Sequence, residues 1–124
     1  MKGKPFFVVS LFALTGLSMA AWGDGQLPFI LTILYDNYPF CPGLRTAWGF
    51  SCLVELGEQT ILFDTGGSAD ILLSNMRALG IDPGRIQKVV LSHIHGDHVG
   101  GLFGLLEENN AVTVYLPACF PKEF

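Results

Sequence analysis

The chain has 124 residues, of which 50% are hydrophobic and 15% charged, and its formal net charge is −4 at pH 7. This composition excludes an intrinsically disordered chain, which combines low hydrophobicity with high charge, and the acidic balance argues against nucleic acid as a partner. Fifteen glycines and seven prolines favour strands joined by tight turns over a helical bundle.

Residues 1–20 have the pattern of a secretory signal peptide. Lys2 and Lys4 precede a mostly apolar run over residues 5–17, and Ser18-Met-Ala20 follows it, with small residues at the positions that a signal peptidase recognises. A membrane anchor or a buried N-terminal helix is the alternative, but the apolar run is shorter than the roughly 20 residues of a spanning helix. We therefore predict cleavage after Ala20, export to the periplasm or the medium, and no membrane anchor in the mature protein.

Three strands are predicted after a linker at residues 21–28. Apolar, β-rich runs cover residues 29–35, 48–56 and 59–64. Gly57-Glu58 separates the second run from the third, which is the spacing of a two-residue hairpin turn.

The remaining elements alternate between helix and strand. A helix is predicted over residues 68–79, where Ser68 can cap the start and an apolar stripe recurs at helical spacing. A short strand over 88–92, a second helix from about 97 to 108 and a strand over 111–116 follow. This order predicts an α/β fold, in which sites usually lie at the carboxyl ends of strands.

The three cysteines have two interpretations. In an oxidising compartment Cys41 and Cys52 could form a disulfide bond, which would leave Cys119 unpaired. Alternatively all three are buried as small apolar residues, which we favour because Cys52 lies in an apolar run and Cys119 follows another. No spacing of cysteines and histidines indicates a thiolate metal site.

All three histidines of the chain lie in the six-residue segment His93-Ile-His-Gly-Asp-His98. In an extended segment, residues two apart point their side chains the same way, and Gly96 lets the chain turn so that the last two residues come round beside them. Imidazole and carboxylate are the ligands that zinc prefers, and iron, manganese or magnesium could use them too. Without a cation, packing such groups together would be unfavourable. The segment therefore predicts a divalent-metal site with four candidate ligands: His93, His95, Asp97 and His98.

The segment and its flanks resemble a known family. Leu91-Ser-His-Ile-His-Gly-Asp-His-Val-Gly-Gly101 resembles the HxHxDH signature of the metallo-β-lactamase superfamily, and Ile61-Leu-Phe-Asp-Thr-Gly66 resembles the strand and turn that precede it. Residues 36–37, 48–51 and 79–81 resemble the branch named for dihydropterin ribofuranosylaminobenzene-phosphate synthase. The resemblance, which covers residues 29–121, implies the αββα sandwich of that superfamily.

The resemblance also implies roles for individual residues. His93 and His95 would ligate one metal and Asp97 and His98 a second, with zinc expected at both positions and with Asp97 also orienting the attacking hydroxide. Asp64 would lie in the outer shell and fix the ligand loop, unless it forms an Asx turn with Gly66. Ser92 could form a hydrogen bond near the site, although the favoured interpretation is that it only ends the strand. Two residues could face a substrate, with packing favoured for the second: Asn37 and Trp48.

The function implied is that of a metal-dependent hydrolase, in which two divalent ions activate a hydroxide for attack on an ester, amide or phosphate bond of a small molecule. The family takes further ligands from its second half, and this sequence has no histidine after His98. We therefore expect residues 29–124 to be the N-terminal half of the domain, a fragment. The alternatives are a noncatalytic truncated metal-binding protein, a pterin-pathway synthase-like enzyme, and iron redox chemistry on the same fold. Substrate and oligomeric state are left open.

Overall fold

The computed structural model describes residues 28–39 and 41–124. The predicted signal peptide and all but the last residue of the predicted linker therefore lie outside the described residues. Within the described part of the chain, no helix has the length and apolar character needed to cross a membrane.

One five-stranded sheet organises the chain, and its strands lie side by side in sequence order. The strands are β1 Phe29–Tyr35, β2 Ser51–Leu56, β3 Gln59–Phe63, β4 Lys88–Val90 and β5 Thr113–Tyr115. The helices are α1 Ala69–Ala78, α2 Gly96–Val99 and α3 Leu102–Glu108, with a single 3-10 turn at Pro83–Arg85.

The first three strands are antiparallel and the last three are parallel. The predicted hairpin between β2 and β3 is confirmed, because Leu56 pairs with Gln59 and Gly57 takes a φ of 58° in the turn. Parallel neighbours need a crossover, which α1 supplies between β3 and β4 and α2 with α3 supply between β4 and β5. The predicted α/β class is confirmed.

The core lies between the helices and one face of the sheet. Leu53, Leu62 and Val89 are consecutive cross-strand partners, so they point to the same face, and each is almost fully buried. From α1, Leu72 and Met76 pack against this row. Each such side chain stabilises the fold by roughly 1.5–3 kcal/mol relative to an exposed one, and together they fix the carboxyl ends of β3 and β4.

The opposite face of the sheet is apolar and more open. Phe29 and Leu31 are 63% and 48% exposed, and they alternate with residues that point to the core side. A further row of cross-strand partners crosses the same face: Ile33, Cys52, Phe63, Val90 and Tyr115.

Several predicted boundaries are wrong, each for a local reason. The second strand begins at Ser51 rather than at residue 48, because Gly49 has a φ of 140° that breaks the extended run. The fourth ends at Val90, since the Ser92 N–H bonds to the Asp64 side chain instead of to a neighbouring strand. The helix predicted over 97–108 is two helices separated by Gly100 and Gly101, which lack the propensity to continue a helix.

The cysteine prediction is right for one residue and wrong for two. Cys52 is buried in β2, whereas Cys41 lies in the exposed loop after β1 and Cys119 in the exposed turns after β5. All three thiols are free, so the structure does not contain the Cys41–Cys52 pair.

Candidate metal centre

The site forms where two parallel strands end at the same edge of the sheet. Asp64 directly follows β3, and its backbone N–H donates to the Val90 carbonyl of β4 at 2.9 Å. Two residues after Val90, the chain reaches Ser92 and the histidine segment. Asp64 has a φ of 54°, a left-handed conformation that aspartate tolerates better than most residues. This turn aims its carboxylate at the segment that follows β4.

The Asp64 carboxylate is almost fully buried and accepts three hydrogen bonds. Its Oδ1 accepts the Ser92 N–H at 2.8 Å, and its Oδ2 lies 2.7 Å from both the Ser92 hydroxyl and His98 Nδ1. The alternative Asx turn with Gly66 is wrong, because the Gly66 N–H donates to the Phe50 carbonyl at 2.9 Å. The favoured interpretation of Ser92 as a plain strand end is also wrong, since its hydroxyl lies 2.8 Å from His93 Nδ1 as well.

The structure brings the three imidazoles together. The ring centroids of His93 and His98 are 4.1 Å apart, and those of His93 and His95 are 4.6 Å apart with the rings edge to face. Asp97 Oδ2 lies 3.5 Å from His98 Nε2. All four sequence-predicted ligands therefore lie in one small volume, next to the Asp64 carboxylate.

The donor atoms of these side chains do not surround a single position where an ion could bind. Within residues 28–39 and 41–124, no group of three or more His, Cys, Asp or Glu side chains is arranged to hold a metal ion. The donor chemistry nevertheless fits a divalent cation, because a ligating histidine usually bonds through its other nitrogen to a carboxylate or similar partner. His98 has that partner in Asp64, and His93 has it in Ser92. In both rings Nε2 is the nitrogen left to face a metal.

Backbone hydrogen bonds hold the histidine turn against neighbouring loops. The Thr65 N–H and hydroxyl both donate to the His98 carbonyl, at 2.7 and 3.0 Å, and the Phe50 N–H donates to the Asp97 carbonyl at 3.2 Å. Gly67 lies so close that a β-carbon there would be 3.5 Å from the Asp97 Cα. Sequence reasoning missed Thr65, although its place directly after Asp64 in the strand-and-turn motif was an available signal.

Asn37 and Trp48 both belong to the loops beside the site. Asn37 Oδ1 accepts the Gly49 N–H at 2.9 Å, so this side chain fixes the loop before β2. The packing favoured for Trp48 is wrong, since this residue is 76% exposed. The next residue, Gly49, lies directly against the Asp97 carbonyl.

Cys52 marks the buried side of the site. Burial raises the pKa of its thiol above the usual value of 9.0, and the negative charge of Asp64 raises it further. A thiol that keeps its proton is weakly reactive, and Cys52 is buried within β2.

The chain is similar in sequence to several known proteins. Over 85 residues it is 46% identical to a 7,8-dihydropterin-6-methyl-4-(beta-D-ribofuranosyl)-aminobenzene-5'-phosphate synthase from Methanocaldococcus jannaschii, covering 65% of this chain and 29% of that protein. Over 60 residues it is 33% identical to a ribonuclease Z from Pyrococcus furiosus, covering 48% of this chain and 19% of that one. The chain thus spans less than a third of the length of these relatives.

A solved structure shares the fold. The metallo-beta-lactamase fold protein YhfI from Bacillus subtilis superposes with a TM-score of 0.59 over 78% of this chain and 41% of its own, at 21% identity. At that identity the match shows the fold alone. Residues 49–118, which contain the Asp64 turn and the whole histidine segment, match the family model described as the metallo-beta-lactamase superfamily. More than half of the chain carries this match, and the chain belongs to the metallo-beta-lactamase superfamily.

Proposed function

We propose that the chain binds divalent metal through His93, His95, Asp97 and His98 and serves a metal-dependent hydrolase. One observation carries the proposal: the only three imidazoles of the chain and a carboxylate gather at the carboxyl edge of the sheet. Zinc is the metal proposed from this donor set, with iron, manganese and magnesium as competitors. Completing the coordination requires either movement of these side chains or further donors.

The proposed substrate is a small molecule with an ester, amide or phosphate bond. A bound divalent ion supplies Lewis acidity and lowers the pKa of water, which makes a nucleophile available near neutral pH. The side chain of Asp97 is 27% exposed and His95 is exposed, so this side of the cluster is open to solvent and to a ligand. Asp97 would then orient the attacking water, while His98 is held on its other side by Asp64.

Two other functions are each favoured by one observation. The 46% identity to a synthase favours synthase-like chemistry at the same site. Metal binding without catalysis would need only the cluster of imidazoles and carboxylate, with no substrate contacts. Both predict metal binding, so metal binding is tested first and turnover second.

The first experiment measures zinc bound by the full chain after removal and return of metal. We expect stable binding in the wild type, and a loss of at least one ion with His95→Ala or Asp97→Asn. Asp70→Asn is the matched control, because Asp70 is an exposed aspartate on α1 that pairs with Arg45. A wild type that binds no divalent metal, or a His95→Ala variant that binds as well as the wild type, contradicts the proposal.

The second experiment measures turnover of a chromogenic ester, a phosphodiester and a β-lactam by the metal-loaded full chain. Hydrolysis of any of these that is lost on Asp97→Asn and kept on Asp70→Asn supports the hydrolase. Metal binding without turnover supports the noncatalytic function instead.

Export forms part of the proposal. The signal pattern at residues 1–20 predicts a mature chain that begins at Ala21. Cell fractionation followed by N-terminal sequencing tests it, and intact Met1 on a cytoplasmic protein would contradict it.

A further inference from the structure

A short chain of hydrogen bonds joins Asp64 to two of the histidines. Asp64 Oδ2 lies 2.7 Å from both Ser92 Oγ and His98 Nδ1, and Ser92 Oγ lies 2.8 Å from His93 Nδ1. A hydroxyl has one proton to donate and a neutral imidazole has one. These three contacts are therefore enough to decide which atom carries each proton.

The assignment starts from the carboxylate, which can only accept. Asp64 Oδ2 therefore receives both the Ser92 O–H and the His98 Nδ1–H, while Oδ1 receives the Ser92 N–H at 2.8 Å. The only hydroxyl proton of Ser92 is then used. Toward His93 the Ser92 oxygen can only accept, so His93 Nδ1 must carry the proton that joins them.

The opposite arrangement is unfavourable. If Ser92 donated to His93 Nδ1, its oxygen would face Asp64 Oδ2 at 2.7 Å with no proton between two electron-rich atoms. Asp64 is only 1% exposed, so solvent cannot relieve that repulsion.

We propose that Ser92 is a positioning residue that transmits the charge of Asp64 to His93. Asp64 then holds His98 directly, and His93 through Ser92, in the Nδ1–H tautomer, and both Nε2 lone pairs face the metal site. The inference rests on the proposed function only in naming a metal as what the Nε2 atoms receive. The tautomers are a property of the hydrogen bonds alone.

His95 provides an internal reference. It lies before α2, is exposed, and its ring contacts His93 edge to face outside the chain of hydrogen bonds. Its tautomer is therefore not set by Asp64 or Ser92.

The experiment is a two-bond proton–nitrogen correlation spectrum of the nitrogen-15-labelled, metal-free full chain. It is recorded at about pH 8.5, where a histidine of ordinary pKa is neutral. Only three histidines contribute, and His95→Gln assigns one of them. We expect the Nδ1–H pattern for His93 and His98 and a tautomer mixture for His95. A wild-type spectrum in which fewer than two of the three histidines carry their proton on Nδ1 overturns the proposal, and that outcome needs no assignment from a variant.

Two serine variants separate positioning from simple support of the fold. Ser92→Ala should release His93 into a tautomer mixture and leave His98 unchanged, and Ser92→Thr should restore His93 because it keeps the hydroxyl. Ser51→Ala is the matched control: its buried hydroxyl donates to the Asp64 backbone carbonyl at 2.7 Å, without reaching a histidine. It should leave both tautomers unchanged. A His93 signal that Ser92→Ala does not alter, or that Ser51→Ala alters equally, also overturns the proposal.

Zinc titration of the same variants keeps the two proposals apart. Ser92→Ala should weaken zinc binding by about 10-fold or more, the usual effect of losing such an outer partner. If the tautomers are as expected but neither the wild type nor any variant binds zinc, the proposed function fails and the role of Ser92 stands. If zinc binds but His93 carries its proton on Nε2, the role of Ser92 fails and the proposed metal binding stands.

Discussion

The ring of Tyr35 lies directly against the backbone of Gly66, so that a β-carbon at this glycine would overlap the ring. Tyr35 ends β1 and is only 2% exposed, while Gly66 belongs to the turn that carries Asp64. Two backbone hydrogen bonds hold Gly66 in place: its N–H donates to Phe50 and its carbonyl accepts from Gly101. The first strand therefore contacts the turn beside the candidate metal centre through the ring of Tyr35.

This contact predicts that Gly66→Ala is strongly destabilising. Gly66 has a φ of +68°, which costs an alanine about 1–2 kcal/mol, and overlap with a buried ring adds about 1–3 kcal/mol. Urea unfolding followed by circular dichroism measures the sum.

Gly80→Ala is the matched control for this prediction. Gly80 has a φ of +69°, nearly the same, but a β-carbon there would meet nothing within 4 Å. In Gly80→Ala, the loss of stability should therefore come only from placing an alanine at a positive φ. Equal losses of stability in the two variants would show that Tyr35 does not restrict the site.

A second prediction concerns Asn75, a polar residue buried on α1. Its amide donates to the carbonyls of Leu34 and Arg45, and its oxygen accepts the Arg45 N–H at 2.8 Å. Asn75→Ala leaves these buried groups without partners, at a cost of about 1–3 kcal/mol for each one that water does not reach. We expect a loss of several kcal/mol in the free energy of unfolding. The exposed Asn110 serves as control, and Asn110→Ala should change stability by less than about 0.5 kcal/mol.

Local patterns in the sequence predicted the order of elements and the position of the histidine cluster. Apolar runs and turn residues gave strands at 29–35 and 59–64 because both depend on short-range chemistry, and β1 and β3 lie there. The HxHxDH spacing required the imidazoles to meet, since all of them lie within six residues, and their rings are in contact.

Apart from the contact of Asp64 with the ligand loop, which the family resemblance implied, sequence reasoning could not supply the contacts between distant segments. Ser92 was misjudged because its partner, Asp64, lies 28 residues away and is brought to it by strand pairing. The close approach of Gly49 to the Asp97 carbonyl joins two distant loops, and no local pattern encodes it. Asn75 does not interrupt the helical pattern of α1, so its contribution to stability is visible only in its hydrogen bonds to the carbonyls of Leu34 and Arg45.

The third prediction is that Asp64→Asn weakens zinc binding by about 10- to 100-fold, as loss of an outer partner usually does. Asparagine fits the backbone, because it also tolerates the φ of 54° found here. Its NH2 group cannot accept the His98 proton, and one oxygen cannot replace a carboxylate that accepts three hydrogen bonds. Calorimetric titration measures the affinity, with Asp70→Asn as control. Unchanged affinity in Asp64→Asn would show that the metal centre does not depend on this carboxylate.

The last prediction is that Cys52 makes stability fall with rising pH. Burial, and secondarily the charge of Asp64, raise the pKa of its thiol above 9.0, so the unfolded chain releases this proton at a lower pH than the folded one. Above about pH 9 the unfolded state therefore binds fewer protons, and the free energy of unfolding decreases. The difference in stability between the wild type and Cys52→Ala should shrink between about pH 8 and about pH 10.

The same burial predicts the reactivity of the thiols. Cys41 and Cys119 are exposed and should be alkylated in the folded protein, whereas Cys52 should react only after unfolding. A constant difference across this range, or alkylation of all three thiols in the folded protein, would contradict a buried, protonated Cys52.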